Sequence, residues 1–287
     1  MKYKFYVKQI PDPFSIWRWI RDHSNIENII SKMAPAASPD ELINLNHSLD
    51  IDSLSSTTLT VLDQYGYKGW RGATGEAKEY GGLSLVMNPD YTEHCDLNQQ
   101  TLGTDKNLPT QFFYGQFENF STLRNSYYDS YAFRKPAPCV AETKLLDFVQ
   151  SFKRSHVRSR IGVINSKYVS DESRKSFNWH RDELVFENTR INIPIKTDNT
   201  FMFEIKGKPP THLEYGNMYS WDTNIAHRVF PTTTENTSRV HLVLGFSPWF
   251  DYNSEEDAWI SNEFYGEMHP LDMLVQGHFH DSIIGRK

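Results

Sequence analysis

Cysteine is scarce in this chain: Cys95 and Cys139 are the only two in 287 residues, and neither sits in a CxxC pair or at zinc-ligand spacing. That excludes a disulfide framework and a thiolate-held structural zinc, and it fits a reducing compartment. No apolar run approaches the roughly 20 residues that span a bilayer. The opening Met1-Lys2-Tyr3-Lys4-Phe5-Tyr6 has none of the apolar stretch of a secretory leader. The expectation is a cytoplasmic protein with no membrane partner, in which Asn46, Asn119 and Asn236 match the glycosylation pattern by chance. A net charge of −6 offers no general attraction to phosphate backbones, so nucleic acid is not an expected partner. A phosphate-cradling glycine loop, a Gly-x-Ser-x-Gly elbow, internal repeats and low-complexity tracts are also missing. Their absence removes the nucleotide-loop, serine-hydrolase and solenoid classes. Hydrophobic residues make up 38% of the chain, enough for a sizeable core.

What is present concentrates in residues 179–241, which open Trp179-His180-Arg181-Asp182 and close Ser238-Arg239-Val240-His241. In an extended segment, side chains two apart share a face, so His180 and Asp182 converge. His227 follows 47 residues after His180, far enough for several strands to pass between them. Two histidines and one carboxylate on one side of a metal leave the other positions open, as in non-haem Fe(II) oxygenases. An HxD pair alone is also common in solvated turns, but its neighbours strengthen the metal reading. From Arg190, alternation puts Arg190, Asn192 and Pro194 on one face and Ile191, Ile193 and Ile195 on the other. From Arg239, it separates Arg239, His241 and Val243 from Val240, Leu242 and Leu244. Such polar rows are either the wet face of an antiparallel sheet or the lining of a pocket inside a curled, double-layered one.

The order His180-x-Asp182, His227, then Arg239 twelve residues on, resembles the Fe(II)/2-oxoglutarate-dependent dioxygenases with a double-stranded β-helix fold. The Arg190-x-Asn192 strand and the run from Gly216 through Trp221, Asp222 and His227 to Arg239 and Phe246 are similar to the aspartyl/asparaginyl β-hydroxylase and L-proline cis-hydroxylase group. The resemblance covers roughly residues 155–250. It implies a mainly β protein with flanking helices and a jelly-roll, cupin-like core. His180, Asp182 and His227 would hold Fe(II), Arg239 would pair with the distal carboxylate of 2-oxoglutarate, and Arg190 and Asn192 would line the co-substrate site. Animal members lack the carboxylate ligand that stands here as Asp182 and carry His at the position of Asn192. The likeness is therefore nearer to the bacterial amino-acid hydroxylases. The implied activity is O2-dependent hydroxylation of an amino-acid side chain, free or in a polypeptide, with Asp, Asn and Pro the leading candidates. The rival is a cupin-like protein that binds a metal or a small acid without oxygen chemistry; it has no need of Arg239.

Elsewhere the chain reads as an N-terminal elaboration (1–140), a catalytic core (141–250) and a C-terminal helical extension (251–287), together one compact domain. Residues 3–10 are expected to form a strand and Phe14–Met33 a helix. Ser38-Pro39-Asp40-Glu41 is a capping box that predicts a short helix through Leu45. Residues 54–63 fit helix or strand. Residues 66–110 read as irregular apart from a strand at Leu83–Met87, and with the polar loop 166–178 they are expected to form the substrate mouth. Residues 141–153 read as an amphipathic helix and Arg158–Asn165 as a strand whose Arg158 and Arg160 share a face, either toward an anionic ligand or, as expected, on a solvated edge. Phe201–Ile205 and Gly216–Trp221 read as further strands, Ser254–Phe264 as a helix with an acidic first turn, and a last helix follows Pro270. His269, His278 and His280 are assigned to a flexible tail.

Overall fold

The alternating runs that begin at Thr189 and Ser238 form the two longest strands, and the rest of the architecture is paired onto them. The computed structural model describes residues 2–10, 16–34, 41–69, 80–89, 130–166, 179–233 and 235–287. Its strands are β1 (Lys4–Tyr6), β2 (Ile43–His47), β3 (Lys68–Gly69), β4 (Tyr80–Ser84), β5 (Val86–Met87), β6 (Lys135–Pro136), β7 (Arg160–Asn165) and β8 (Thr189–Lys196). They continue as β9 (Phe201–Ile205), β10 (Met218–Ser220), β11 (His227–Pro231), β12 (Ser238–Phe246), β13 (Phe250–Asn253), β14 (Ala258–Ser261) and β15 (Ile283–Arg286). The fold is mainly antiparallel β with few helices. An eight-stranded sheet runs β15-β2-β10-β8-β12-β7-β4-β3, beside sheets β1-β14-β13, β11-β9 and β5-β6, and none closes on itself among the described residues. No helix among them is long and apolar enough to cross a membrane.

Strand period two divides the large sheet chemically. Ile161, Val163, Ile191, Ile193, Val240, Leu242 and Leu244 are buried in the main core, with the helix Ile51–Tyr65 in contact with β8 on the same sheet. On the opposite face Val243 pairs with both Arg160 and Asn192, His241 with Gly162 and Pro194, and Tyr219 with Asn192. This face is not wet: Arg160, Arg190, Asn192, Arg239 and His241 are all buried. A second apolar cluster, Phe203, Ile205, Leu213, Tyr219 and Trp221, joins it to the β9–β11 pair. The register of β12 on β8 shifts between Val240 and His241, where Pro194 sits. An interior strand tolerates proline at such an irregularity because the ladder is already interrupted there.

Several local expectations are corrected. Ile43–His47 is a strand, not the end of a capped helix: Ile43 and Leu45 alternate into the core, and β10 and β15 pair on its two sides. The proposed capping residues Ser38–Asp40 lie outside the described residues. The helix expected over 14–33 is two, Ile16–His23 and Ile26–Ile30, separated at Ser24-Asn25. Only Lys4–Tyr6 of the expected first strand is β, followed by a 3-10 turn. Residues 54–63 belong to the helix Ile51–Tyr65, whose first turn is capped by Asp50 accepting from the Ser53 N–H at 3.1 Å. The run Leu83–Met87 is divided at Leu85 between β4 and β5, and the 141–153 helix is confined to Leu145–Gln150. Most of 66–110 and all of 167–178 lie outside the described residues.

Ser254–Phe264 is no helix. β13 and β14 form a hairpin, with Asn253 Oδ1 accepting from the N–H groups of Glu255 and Glu256 at 3.0 and 3.1 Å and Asp257 at φ +50°. β1, some 250 residues away in sequence, adds the third strand. The last residues are no loose tail either. The helix Pro270–Val275 is capped by His269, β15 pairs with β2, and His280 bonds Ser151 Oγ at 2.7 Å. His278 packs against Phe264 with its ring tilted, so the three histidines serve separate contacts. Arg160 faces no solvent, because β7 lies between β4 and β12, and Arg158 precedes the strand at φ +49°.

Candidate metal centre

His227 opens β11, which pairs with β9 on one side and with an isolated bridge at His180 on the other. The His180 N–H donates to the His227 carbonyl at 3.1 Å and the His227 N–H to the His180 carbonyl at 3.0 Å. Two residues on, the Asp182 N–H donates to the Thr223 carbonyl at 2.9 Å. The segment is thus held extended, and the i, i+2 rule delivers His180 and Asp182 to one side. One ligand atom from each of His180, Asp182 and His227 lies within 4.8 Å of the others. Asp182 Oδ2 is 3.9 Å from His180 Nε2 and 3.5 Å from His227 Nε2. His227 is buried against the edge of Trp221 at 5.3 Å between ring centres, whereas the His180 side chain is 41% exposed. The trio therefore has a dry side and an open side.

The ring of His227 is oriented by its other nitrogen, since Nδ1 lies 2.8 Å from the Ile225 carbonyl and donates to it. That leaves Nε2 directed at Asp182, the tautomer a metal-binding imidazole requires. Partial burial alone would raise the Asp182 carboxyl. The Arg190 charge outweighs it and holds the group well below the usual carboxylate range.

Arg190 donates from Nη1 to Asp182 and from Nη2 to Glu183. Glu183 is buried and also receives Arg158 Nη1 and the Ser130 hydroxyl, the latter at 3.2 Å. Burial, together with the charges of Arg190 and Arg158, pushes the Arg160 guanidinium down to about 9. The structure thus places Arg190 on a carboxylate of the trio, while Asn192 and Arg239 lie on the inner face of the same sheet. Arg239 Nη2 donates to His241 Nδ1 at 2.7 Å. Sequence reasoning gave Glu183 no role, set Arg158 on a solvated edge, and placed His241 in the polar row with Arg239 without a role of its own. Glu183 gives no signal, because a neighbour of Asp182 in an extended segment points the other way; only the arrival of Arg190 from β8 makes it a partner. His241 was legible through its spacing from Arg239.

No protein-family model matches this chain, and no curated protein does either.

Proposed function

We propose that the protein is an Fe(II)- and 2-oxoglutarate-dependent dioxygenase of the double-stranded β-helix class, hydroxylating an amino-acid side chain. The observation that carries this reading is the His180, Asp182 and His227 cluster next to a buried sheet face bearing Arg239. The chain path supports the fold. From β7 it passes to the His180 bridge beside β11, back to β8, out to β9 and the Thr211 bridge, back to β10, out to β11 and back to β12. Successive segments so shuttle between a layer ordered β7-β12-β8-β10 and one ordered His180-β11-β9-Thr211.

The donor set fits the metal. Two imidazole nitrogens and one carboxylate suit Fe(II), and three protein ligands on one side leave positions for co-substrate and O2. When bound, the iron with 2-oxoglutarate and O2 supplies the oxidising power to hydroxylate an unactivated C–H bond. The chain's own residues then bind and orient. His180, Asp182 and His227 hold the metal, Arg190 fixes the Asp182 carboxylate, and Arg239 counters the distal carboxylate of the co-substrate through its planar fork. Trp221 and Phe203 keep water from the His227 side. The substrate is a free or peptidyl amino acid of the Asp, Asn or Pro kind, and the isolated cysteines suit the cytoplasm.

Incubating the purified protein with Fe(II), 2-oxoglutarate and a panel of amino acids and peptides tests the reading. Succinate release with a product heavier by one oxygen supports it. Metal uptake without 2-oxoglutarate binding would favour the cupin-like binding protein instead.

A further inference from the structure

Main-chain bonds fix where Asp182 sits but not how its carboxylate is turned. The Asp182 N–H donates to the Thr223 carbonyl at 2.9 Å, and the Thr223 hydroxyl donates to the Glu183 carbonyl at 2.7 Å. The last torsion of an aspartate is broad and two-fold, so a fixed backbone leaves the carboxylate plane open. The orienting contact is Arg190 Nη1 on Asp182 Oδ2. That same oxygen lies 3.9 and 3.5 Å from the Nε2 atoms of His180 and His227. Arginine is long and rich in rotamers, and a single bond does not hold its plane. The second arm does: Arg190 Nη2 donates to Glu183 Oε2. Glu183 is itself pinned, because its Oε1 accepts from Arg158 Nη1 and from the Ser130 hydroxyl, the latter at 3.2 Å. A glutamate this deeply buried is expected only where donors meet it, and here both of its oxygens are met.

We propose that Glu183 is a positioning residue for the metal: it holds Arg190 so that the guanidinium turns Asp182 Oδ2 toward the two imidazoles. Neighbours in an extended segment face opposite ways, so the two carboxylates do opposite jobs, one turned to the metal and the other to the core. Asp182 is the ligand, Arg190 the link and Glu183 the anchor. The inference rests on the metal reading of the trio and not on 2-oxoglutarate or O2. Glutamine is the informative substitution. Glu183 Oε1 takes two donors and Oε2 one, so the amide oxygen of Glu183→Gln is expected to stay with Arg158 and Ser130. Its NH2 then faces Arg190, donor against donor, and the second arm is released while the side-chain shape is kept.

The test uses the full-length protein, calorimetric titration of Mn(II), and ¹H–¹⁵N NMR of the Arg190 guanidinium with Zn(II). In the wild type, Zn(II) is expected to shift the Nη1 protons and leave those of Nη2 in place. Glu183→Gln is expected to weaken Mn(II) about ten- to hundred-fold, the usual effect of removing a group that orients a metal ligand, and to merge the Nη2 signals through free rotation. Ser130→Ala takes one neutral bond from Oε1 and none from Arg190, so its Mn(II) affinity should match the wild type. Wild-type affinity in a folded Glu183→Gln variant overturns the role of Glu183 and leaves the metal centre standing. An equal loss in Ser130→Ala also overturns it, since general loosening of the buried cluster would then suffice. Arg190 signals that ignore Zn(II) overturn it whether or not the variants fold. If the wild type binds neither Mn(II) nor Zn(II), the metal reading itself fails, and this inference with it.

Discussion

Arg190 and Asp182 are joined side chain to side chain, and the same guanidinium continues to Glu183. The carboxylate of the candidate centre, 24% exposed, is thereby tied to one that is 2% exposed. Orientation of Asp182 is consequently a property of the core and not of the loop that carries it.

Removing that tie is expected to be costly. Arg190→Ala removes from both Asp182 and Glu183 the guanidinium that joins them, and breaking buried pairs in this way costs about 3–5 kcal/mol. Arg190→Lys keeps the charge but loses the fork, so it falls between the two. Urea denaturation reads the loss; a change under about 1 kcal/mol would show that the network is solvated.

Metal binding depends on Asp182. Mn(II) at a hundred times its Kd is expected to stabilise the wild type by about 2.7 kcal/mol. A folded Asp182→Ala variant should show almost none of this, and His180→Ala and His227→Ala should match it, because the three ligands act as a unit. Undiminished stabilisation of Asp182→Ala in thermal melts would falsify the ligand assignment.

Arg239 and the metal should be separable. Arg239→Ala is expected to weaken 2-oxoglutarate at least ten-fold, in keeping with loss of a charge-assisted hydrogen bond, while Mn(II) affinity changes little. Arg239→Lys should recover part. If Arg239→Ala binds 2-oxoglutarate normally and Arg190→Ala does not, the two arginines have exchanged roles.

Acid should destabilise the fold through histidines that are held neutral. Burial lowers His156 and His269 to about 4, from an ordinary value of 6.5. Between those values the unfolded chain binds more protons than the folded one, so stability falls as pH drops from about 6.5 toward 4, by up to about 1.4 kcal/mol per pH unit for one such histidine. His156 sits between Ser159 Oγ at 2.7 Å and the Val149 carbonyl at 2.9 Å. His156→Gln should retain much of that bonding and show a shallower decline over this range in denaturation midpoints; an unchanged slope would refute its contribution.

By itself, the sequence determined the two faces of β8 and β12 and the convergence of His180 with Asp182. Those follow from a side-chain period of two, which any extended backbone obeys whatever it packs against. Tertiary structure decided what each face meets. Ile43–His47 became a strand because β10 and β15 come from far along the chain to pair with it, and the hairpin of β13 and β14 gained its third strand from β1; no local propensity encodes a distant partner. The same holds within the site. Alternation put Arg239 and His241 side by side, but that Arg190 would close on Asp182 and Glu183, and that the polar face would be buried beneath Trp221 and Phe203, depended on how the layers came together. A charge placed by register has its chemistry set only when the groups that desolvate and partner it arrive from elsewhere in the chain.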